Sequence, residues 1–320
     1  MKATIIIPTA GHRIEYLNDT LVSVKNQDFF VQEYEVIVID NSKGEKVAEA
    51  VKRINQTGRC LVRYIREEDP GLHNARHAGA KEAKGDILVY IDDDVILPSH
   101  WLVAILDPFS DPKVGCSGGK VIPQWEAEIP SWFSQFNKAY LSLLDYGENR
   151  KELKAPGIWG CNMAVRKAAF FEVGGSNVDF FADESLIWFS GDGECGLEDR
   201  LLDAGYKIIY EPLAWLYHRI PASRLTPEYF YNRFIFTGIH QSYTRIRKEH
   251  KNFLFFVSLP VFAICDLLKS GYRYVESMLD KSRSIKLRAD SYRFCSRARH
   301  ALLAIFSKKL RDHVIRDSYL

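Results

Sequence analysis

Four apolar runs, at residues 4–7, 35–39, 61–65 and 87–91, are too short for helices, and most lack the alternation of a strand with one wet face. Uninterrupted Ile/Val/Leu runs of this kind belong to strands covered on both sides, as in a parallel sheet with helices on both faces. The stretches between them carry helical spacing: Leu17, Leu21 and Val24; Val47, Val51 and Ile54; Ala75, Ala78, Ala80 and Ala83. Parallel strands need crossovers of this kind, so the β-α-β-α-β-α-β order predicts an α/β protein built on a doubly wound, mostly parallel sheet. With 320 residues, 47% apolar and 26% charged, the chain is long enough for one large domain plus an appended segment. That composition excludes a disulfide-stapled miniprotein, a disordered chain and a multi-span membrane protein.

Beyond residue 100 the pattern is less regular. A helix near Trp101–Leu106 leads to a strand at 114–122, an aromatic stretch at 125–146, a turn-and-strand at 157–165, a helix expected at 198–204 and a strand at 207–210. From Pro227 onward the chain reads as helical and basic. Residues 245–320 carry 17 Lys+Arg against 7 Asp+Glu, and residues 1–244 carry 26 against 34. Opposed halves suggest a binding or catalytic body with a basic segment facing an anionic surface, or else a merely solvated basic helix. The apolar run at 253–268 is interrupted by Pro260 and Asp266 and falls short of a spanning length, which points to an interfacial or buried helix. Six cysteines without metal-site spacing and an N-terminus without a signal h-region predict a cytoplasmic protein with reduced thiols.

Ligands of open parallel sheets bind beyond the carboxyl ends of the strands. Pro8-Thr9-Ala10-Gly11 stands at the first such end, Asp40-Asn41-Ser42 at the second, and Asp92-Asp93-Asp94 at the fourth. Three adjacent carboxylates repel unless a cation joins them, so a hard ion, Mn²⁺ or Mg²⁺, is a natural partner; an acidic helix cap is the simpler reading. Arg76, early in a helix rich in small residues, offers forked donors to a diphosphate or carboxylate, or is a plain surface arginine. Glu198-Asp199, taken as the opening of a helix, is either stabilised by the helix dipole or aimed as a general base. His218, with Arg219 and Arg224 nearby, suits a metal or phosphate if it is not simply structural. Trp125, Trp132, Phe133, Trp159 and Trp188 could stack on sugar rings or fill the core.

Over residues 1–240 the ordered set of motifs resembles family 2 glycosyltransferases of the A-type nucleotide-sugar-binding, Rossmann-like fold. The set runs Ile6-Ile7-Pro8-Thr9, Gln27, Val38-Ile39-Asp40-Asn41-Ser42, Ala75-Arg76-His77-Ala78-Gly79, Asp92-Asp93-Asp94, Gly160-Cys161-Asn162-Met163-Ala164, Gly174-Gly175, Glu198-Asp199-Arg200-Leu201-Leu202 and His218. It departs from the commoner pattern in ending the second strand Asp40-Asn41 and in carrying His77 where Asn is usual. The resemblance implies a catalytic domain at 1–226, with a nucleotide-binding half at 1–124 and an acceptor half at 125–226, and a basic amphipathic helical extension at 227–320. It implies that Asp40 and Asp92 contact the nucleoside and that Asp94 binds the metal with His218 nearby. Asp199 becomes the base, with Glu198 beside it, and Pro8, Thr9, Asn41, Arg76, Asp93 and Arg219 complete the donor site. The implied reaction is inverting transfer of a sugar from a nucleotide diphosphate, taken as UDP, to a hydroxyl of a glycan or lipid-linked glycan. The implied location is the inner face of the cell membrane, as a peripheral protein of a bacterial surface-glycan pathway.

Three rivals fit less well. A glycoside hydrolase needs two carboxylates flanking one bond rather than three in a cluster. A nucleotidyltransferase would need a Gly/Lys/Arg-rich loop after the first strand, which Pro8-Thr9-Ala10-Gly11-His12-Arg13 approximates poorly. A degenerate transferase acting through its basic tail on an anionic membrane or nucleic acid remains the alternative; the apolar residues interleaved with the cations suit either surface, and the lipid-linked or glycan acceptors that the resemblance implies favour the membrane.

Overall fold

The computed structural model describes all residues except 57–59, 179–183, 317 and 319. The elements in chain order are β1 (Ala3–Thr9), α1 (Ile14–Lys25), β2 (Tyr34–Asp40), α2 (Lys46–Ile54), β3 (Val62–Arg66), α3 (Leu72–Glu82), β4 (Ile87–Ile91), β5 (Val95–Ile96) and α4 (Trp101–Leu106). There follow β6 (Val114–Trp125), β7 (Lys151–Leu153), β8 (Asn162–Arg166), α5 (Lys167–Glu172), α6 (Gly193–Asp203) and β9 (Lys207–Ile220). Four helices close the chain: α7 (Pro227–Glu249), α8 (Phe253–Leu279), α9 (Ser284–Phe306) and α10 (Lys308–Val314).

One sheet runs β3-β2-β1-β4-β8-β6-β9-β5, with β7 also paired to β9. The four N-terminal strands are parallel throughout. β8 then enters antiparallel to both β4 and β6, and β6 runs parallel to β9 in a long ladder. Every residue of β1, β2 and β4 is buried, which is what their unbroken apolar runs require. β3 is the edge strand and only Val62 in it is fully buried; Leu61, expected inside, is 70% exposed and precedes the strand. Two polar intruders in the parallel core satisfy each other, Thr4 Oγ1 donating to Glu35 Oε1 (2.9 Å), and Glu35 also holds Arg63 (3.1 Å).

The strand order reverses between β1 and β4, so a crevice opens at their carboxyl ends. Past that crevice β6 and β9 approach closely. A Cβ on Gly119 would lie 1.9 Å from the carbonyl oxygen of Ala214, beside the register shift between Gly119 and Val121. That carbonyl also accepts from Asn162 Nδ2 (2.7 Å), whose Oδ1 accepts from Trp101 Nε1 (2.9 Å). Gly119→Ala is therefore expected to destabilise the protein by about 3 kcal/mol or more, because backbone rather than a side-chain tip must yield. Urea unfolding measures this, and a change under about 0.5 kcal/mol would contradict the packing account.

The C-terminal helices are not a separate appendage at their start. Phe230 and Phe234 of α7 sit in the main core, where Phe136 meets Phe230 at 4.5 Å and Tyr140 stacks on Phe234 at 4.5 Å between ring centres. Trp132 and Phe133 pack in the same aromatic cluster. Further along the same helix, Tyr243 and Ile246 enter a second core with Phe255, Leu259 and Ala263 of α8 and Ala298, Ala301 and Ala304 of α9. α8 is longer than the apolar run suggested, because helix continues past Asp266 to Leu279. Its residues Leu254–Leu279 are long and apolar enough to cross a bilayer, so length does not exclude a span as the sequence reading held.

Candidate active site

The chain leaves β4 through Asp92-Asp93-Asp94 and immediately forms β5, whose Val95 lies in register with His218 of β9. That short antiparallel pairing, reinforced by Arg219 N–H donating to the Asp94 carbonyl (3.0 Å), brings His218 beside Asp94 across a large sequence separation. Thr20 of α1 pins the turn, donating from Oγ1 to the Val95 carbonyl (2.8 Å) and accepting from Val95 N–H (3.2 Å). Ligand atoms of Asp92, Asp94 and His218 all fall within 4.8 Å of one another.

Asp94 and His218 are buried, with Asp94 Oδ1 3.3 Å from His218 Nε2. Arg224 donates from Nη2 to Asp94 Oδ2 (2.8 Å), and its Nη1 lies 2.7 Å from His218 Nε2. Arg13 stands 4.0 Å from Asp94 Oδ2. Burial would raise the Asp94 carboxyl, but His218, Arg224 and Arg13 outweigh it and hold it down to about 2. Asp92 moves the other way, raised by burial against the pull of Arg76, and Asp93 is pushed up to about 7 by burial and the neighbouring Asp94. Asp94 Oδ1 and His218 Nδ1 are buried atoms with no hydrogen-bond partner among the described residues. Hard carboxylate oxygens with one imidazole, two of their buried atoms unsatisfied, fit a divalent cation of the Mn²⁺ or Mg²⁺ kind.

The other predicted donor residues form the walls. Pro8 is buried inside β1, and Thr9 donates its hydroxyl hydrogen to Asp93 Oδ2 across the crevice while its oxygen accepts from Gly11 N–H (3.0 Å). Asp40 is fully buried and accepts from Ser42 N–H and the Tyr64 hydroxyl (both 2.8 Å), with Arg66 at 3.4 Å. Asn41 donates to the carbonyls of Glu67 (2.8 Å) and Asp69 (3.0 Å) and accepts from Gly71 N–H (3.1 Å), so its side chain ties the loop before α3. Arg76 reaches from α3 to Asp92 Oδ1 (3.3 Å). His77 accepts from Ser176 N–H (3.1 Å), and burial keeps it neutral with its pKa lowered to about 3. Arg219 does not join the triad: it pairs with Asp19 (2.6 Å) and lies 4.6 Å from the Tyr16 ring centre, because alternate residues of β9 face opposite ways. Arg224 occupies the place expected of it.

Glu198 and Asp199 also differ from their expected placement. α6 begins at Gly193, where φ is +53°, so the pair sits in mid-helix and not in its first turn. Asp199 faces α7 and pairs with Lys248 (2.7 Å). Glu198 is fully buried and accepts from the N–H groups of Gly157 (2.9 Å) and Ile158 (3.2 Å). Neither is brought to the carboxylate cluster. The residue that is brought there is Glu194, in the first turn of α6. Its Oε2 lies 3.4 Å from His73 Nε2 and 3.6 Å from Arg76 Nη1, and its Oε1 accepts from Gly160 N–H (3.3 Å). Arg76 thus bridges Glu194 and Asp92. Burial would raise Glu194, but the His73 hydrogen bond and the Arg76 charge keep it well below the usual carboxylate range, ionised at neutral pH. The sequence carried one signal for it, the helix-opening Gly191-Asp192-Gly193-Glu194, which reads as loop when the helix is started at residue 198 instead of 193.

Burial pushes Glu198 up to about 8, against the two backbone donors. A folded pKa above the unfolded value means the native state binds the extra proton, so stability falls as pH rises between about 4.5 and 8. Melting temperatures of Glu198→Gln are expected to decline less across that window than those of the unaltered protein. Parallel declines would contradict the assignment.

A twisted parallel half-sheet with an acidic cluster at its switch point defines the class, the A-type nucleotide-sugar transferase fold. Solved structures with that architecture include the mannosyltransferase PcManGT of Pyrobaculum calidifontis in complex with GDP-Man and Mn²⁺, at TM-score 0.53 and 18% identity, covering 96% of this chain and 75% of that one. GalNAc-T7 with UDP, GalNAc and Mn²⁺ gives TM-score 0.53 and 18% identity, over 99% and 58%. The model of Glycosyl transferase family 2 matches residues 4–174, and the chain belongs to that family and is a glycosyltransferase. Among curated relatives, a glucosyl-dolichyl phosphate glucuronosyltransferase of Haloferax volcanii is 29% identical over 182 residues, 55% of this chain and 56% of that protein. A validoxylamine A glucosyltransferase of Streptomyces hygroscopicus is 24% identical over 203 residues, 55% and 47%. The chain spans about half the length of these relatives.

Proposed function

We propose that the protein transfers a sugar from a nucleotide diphosphate donor, UDP-linked, to a hydroxyl of a glycan or lipid-linked glycan with inversion at the anomeric carbon. The observation that carries this is the Asp92–Arg76–Glu194 bridge, which sets an ionised carboxylate one guanidinium away from the metal-fitting triad. Glu194, not Asp199, is the general base: it accepts the proton of the acceptor hydroxyl as that oxygen attacks the anomeric carbon. Asp94 and His218, with Asp92 adjacent, would hold a divalent ion, Mn²⁺ or Mg²⁺, which would supply positive charge to the diphosphate. Arg224 and Arg13 bracket the same position and donate to the leaving group as its charge grows. Asp40, under the end of β2, fixes the floor of the nucleoside pocket through Tyr64 and Arg66. Single displacement with one base accounts for inversion.

Support for a lipid-linked acceptor comes from the glucosyl-dolichyl phosphate named for the Haloferax relative and from the basic helical region described below. The reaction is read as taking place at the inner face of the membrane. The test is a transfer assay with labelled UDP-, GDP- and dTDP-sugars and polyprenyl-phosphate-linked acceptors in Mn²⁺. Turnover of one donor with β-product from an α-donor is expected; an α-product would contradict the single displacement.

A further inference from the structure

We infer that α8 lies flat in the surface of an anionic lipid bilayer and docks the enzyme there through one apolar stripe. This deepens the lipid-linked acceptor reading and does not depend on which residue is the base.

The stripe is unusual in what it shows and what it hides. Leu254, Val257, Val261, Ile264, Leu268, Tyr272, Val275 and Leu279 recur at helical spacing, and all are exposed; Leu254, Leu268 and Leu279 are 74%, 69% and 81% exposed. The spacing puts them on one side of the helix along its whole length, about 40 Å at 1.5 Å per residue. The one acid in the first two-thirds of the helix, Asp266, is turned inward and gripped by Arg297 through two 2.6 Å hydrogen bonds. Ser270 likewise faces inward, donating to the Ser291 carbonyl (2.9 Å). A helix of a soluble protein places charge outward and apolar residues inward; here both are inverted on the face away from α9.

Cations rim the stripe. Lys251 stands before its start, Lys269 is exposed midway, and Lys281, Arg283 and Arg288 are exposed past its end. Arg245 lies over the Phe262 ring at 3.7 Å, spreading positive charge along one edge. An apolar strip bounded by lysine and arginine matches the acyl layer below anionic headgroups and matches no second copy of itself, which would set the same cations against each other. A bilayer-spanning placement is the poorer fit, since the inner face of α8 is packed along α9, and Arg297 and Asp266 would have to enter hydrocarbon with it. The turn after α8 also touches the body: Gln135 Nε2 donates to the Ser282 carbonyl (2.9 Å), and Lys286 sits 5.0 Å from the Phe234 ring centre. The cationic end of the stripe is thereby tied to the 125–146 segment expected to face the acceptor.

The test is flotation of the full-length protein with vesicles of phosphatidylcholine alone or of equal parts phosphatidylcholine and phosphatidylglycerol. Two variants accompany it: Ile264→Glu with Leu268→Glu on the stripe, and Lys281→Gln with Arg283→Gln beyond it. The unaltered protein is expected to float with the anionic vesicles and to be released by alkaline carbonate. The stripe variant should lose about a hundredfold in partitioning, and the cation variant should lose most of its preference for anionic lipid. Melting curves and nucleotide binding should be unchanged in both, since these side chains contact neither core nor crevice, so loss of docking and failure of the donor-site reading remain separate results. Absence of flotation, equal flotation of the stripe variant, or retention through carbonate extraction would each overturn the proposal.

Discussion

Glu194→Gln is expected to lower kcat by about a thousandfold or more while leaving donor affinity within a few fold. The glutamine keeps the shape and can still accept from Gly160 N–H, but it cannot take a proton at neutral pH. The comparison that gives the result meaning is Asp199→Asn, expected to retain activity within a few fold, because Asp199 is paired with Lys248 on the α7 side. The two variants separate the sequence reading from the structural one. Full activity in Glu194→Gln with loss in Asp199→Asn would restore the original assignment. Steady-state kinetics with melting curves on both variants decide between them.

The second large effect is expected at the metal-fitting triad. Asp94→Asn removes the carboxylate on which His218, Arg224 and Arg13 converge, leaving the half-buried Arg224 without its charge partner. Transfer should fall by about a hundredfold or more, and the protein should be measurably less stable. Stability and metal binding are confounded in that variant, so His218→Asn is the cleaner probe: it is expected to raise the Mn²⁺ concentration needed for half-maximal rate while Arg224 keeps its pairing with Asp94. An unchanged metal requirement in His218→Asn would remove the histidine from the site.

What was legible in the sequence follows from which physical signals are local. Uninterrupted apolar runs with helical stretches between them report strands buried on both faces, so β1, β2 and β4 and the crevice at their ends could be read directly. The same rule placed Thr9, Asp40 and Asp92 to Asp94 around that crevice. β8 entering antiparallel and β6 running beside β9 were not legible, since pairing partners leave no periodic mark. His218 meets Asp94 only through the two-residue β5, too short to announce itself. Arg219 was the arginine the sequence placed in the donor site, with Arg224 only a neighbour suited to phosphate, and the alternation of β9 turned Arg219 away to Asp19. Glu194 was missed for a backbone reason: a helix whose first residue is glycine at positive φ begins before its apolar periodicity does. The exposed stripe of α8 was half legible, because composition showed an apolar run, while the inward turn of Asp266 that lets the helix continue is a tertiary contact.

The most direct test of the central claim, that the crevice at the ends of β1 and β4 is a metal-dependent nucleoside diphosphate site, is calorimetric titration of UDP and GDP into the purified protein with Mn²⁺ and with chelator. Saturable one-to-one binding of UDP that requires Mn²⁺ and disappears in Asp94→Asn is the predicted result. Binding of neither nucleotide in the presence of metal, or equal binding in chelator, would contradict it.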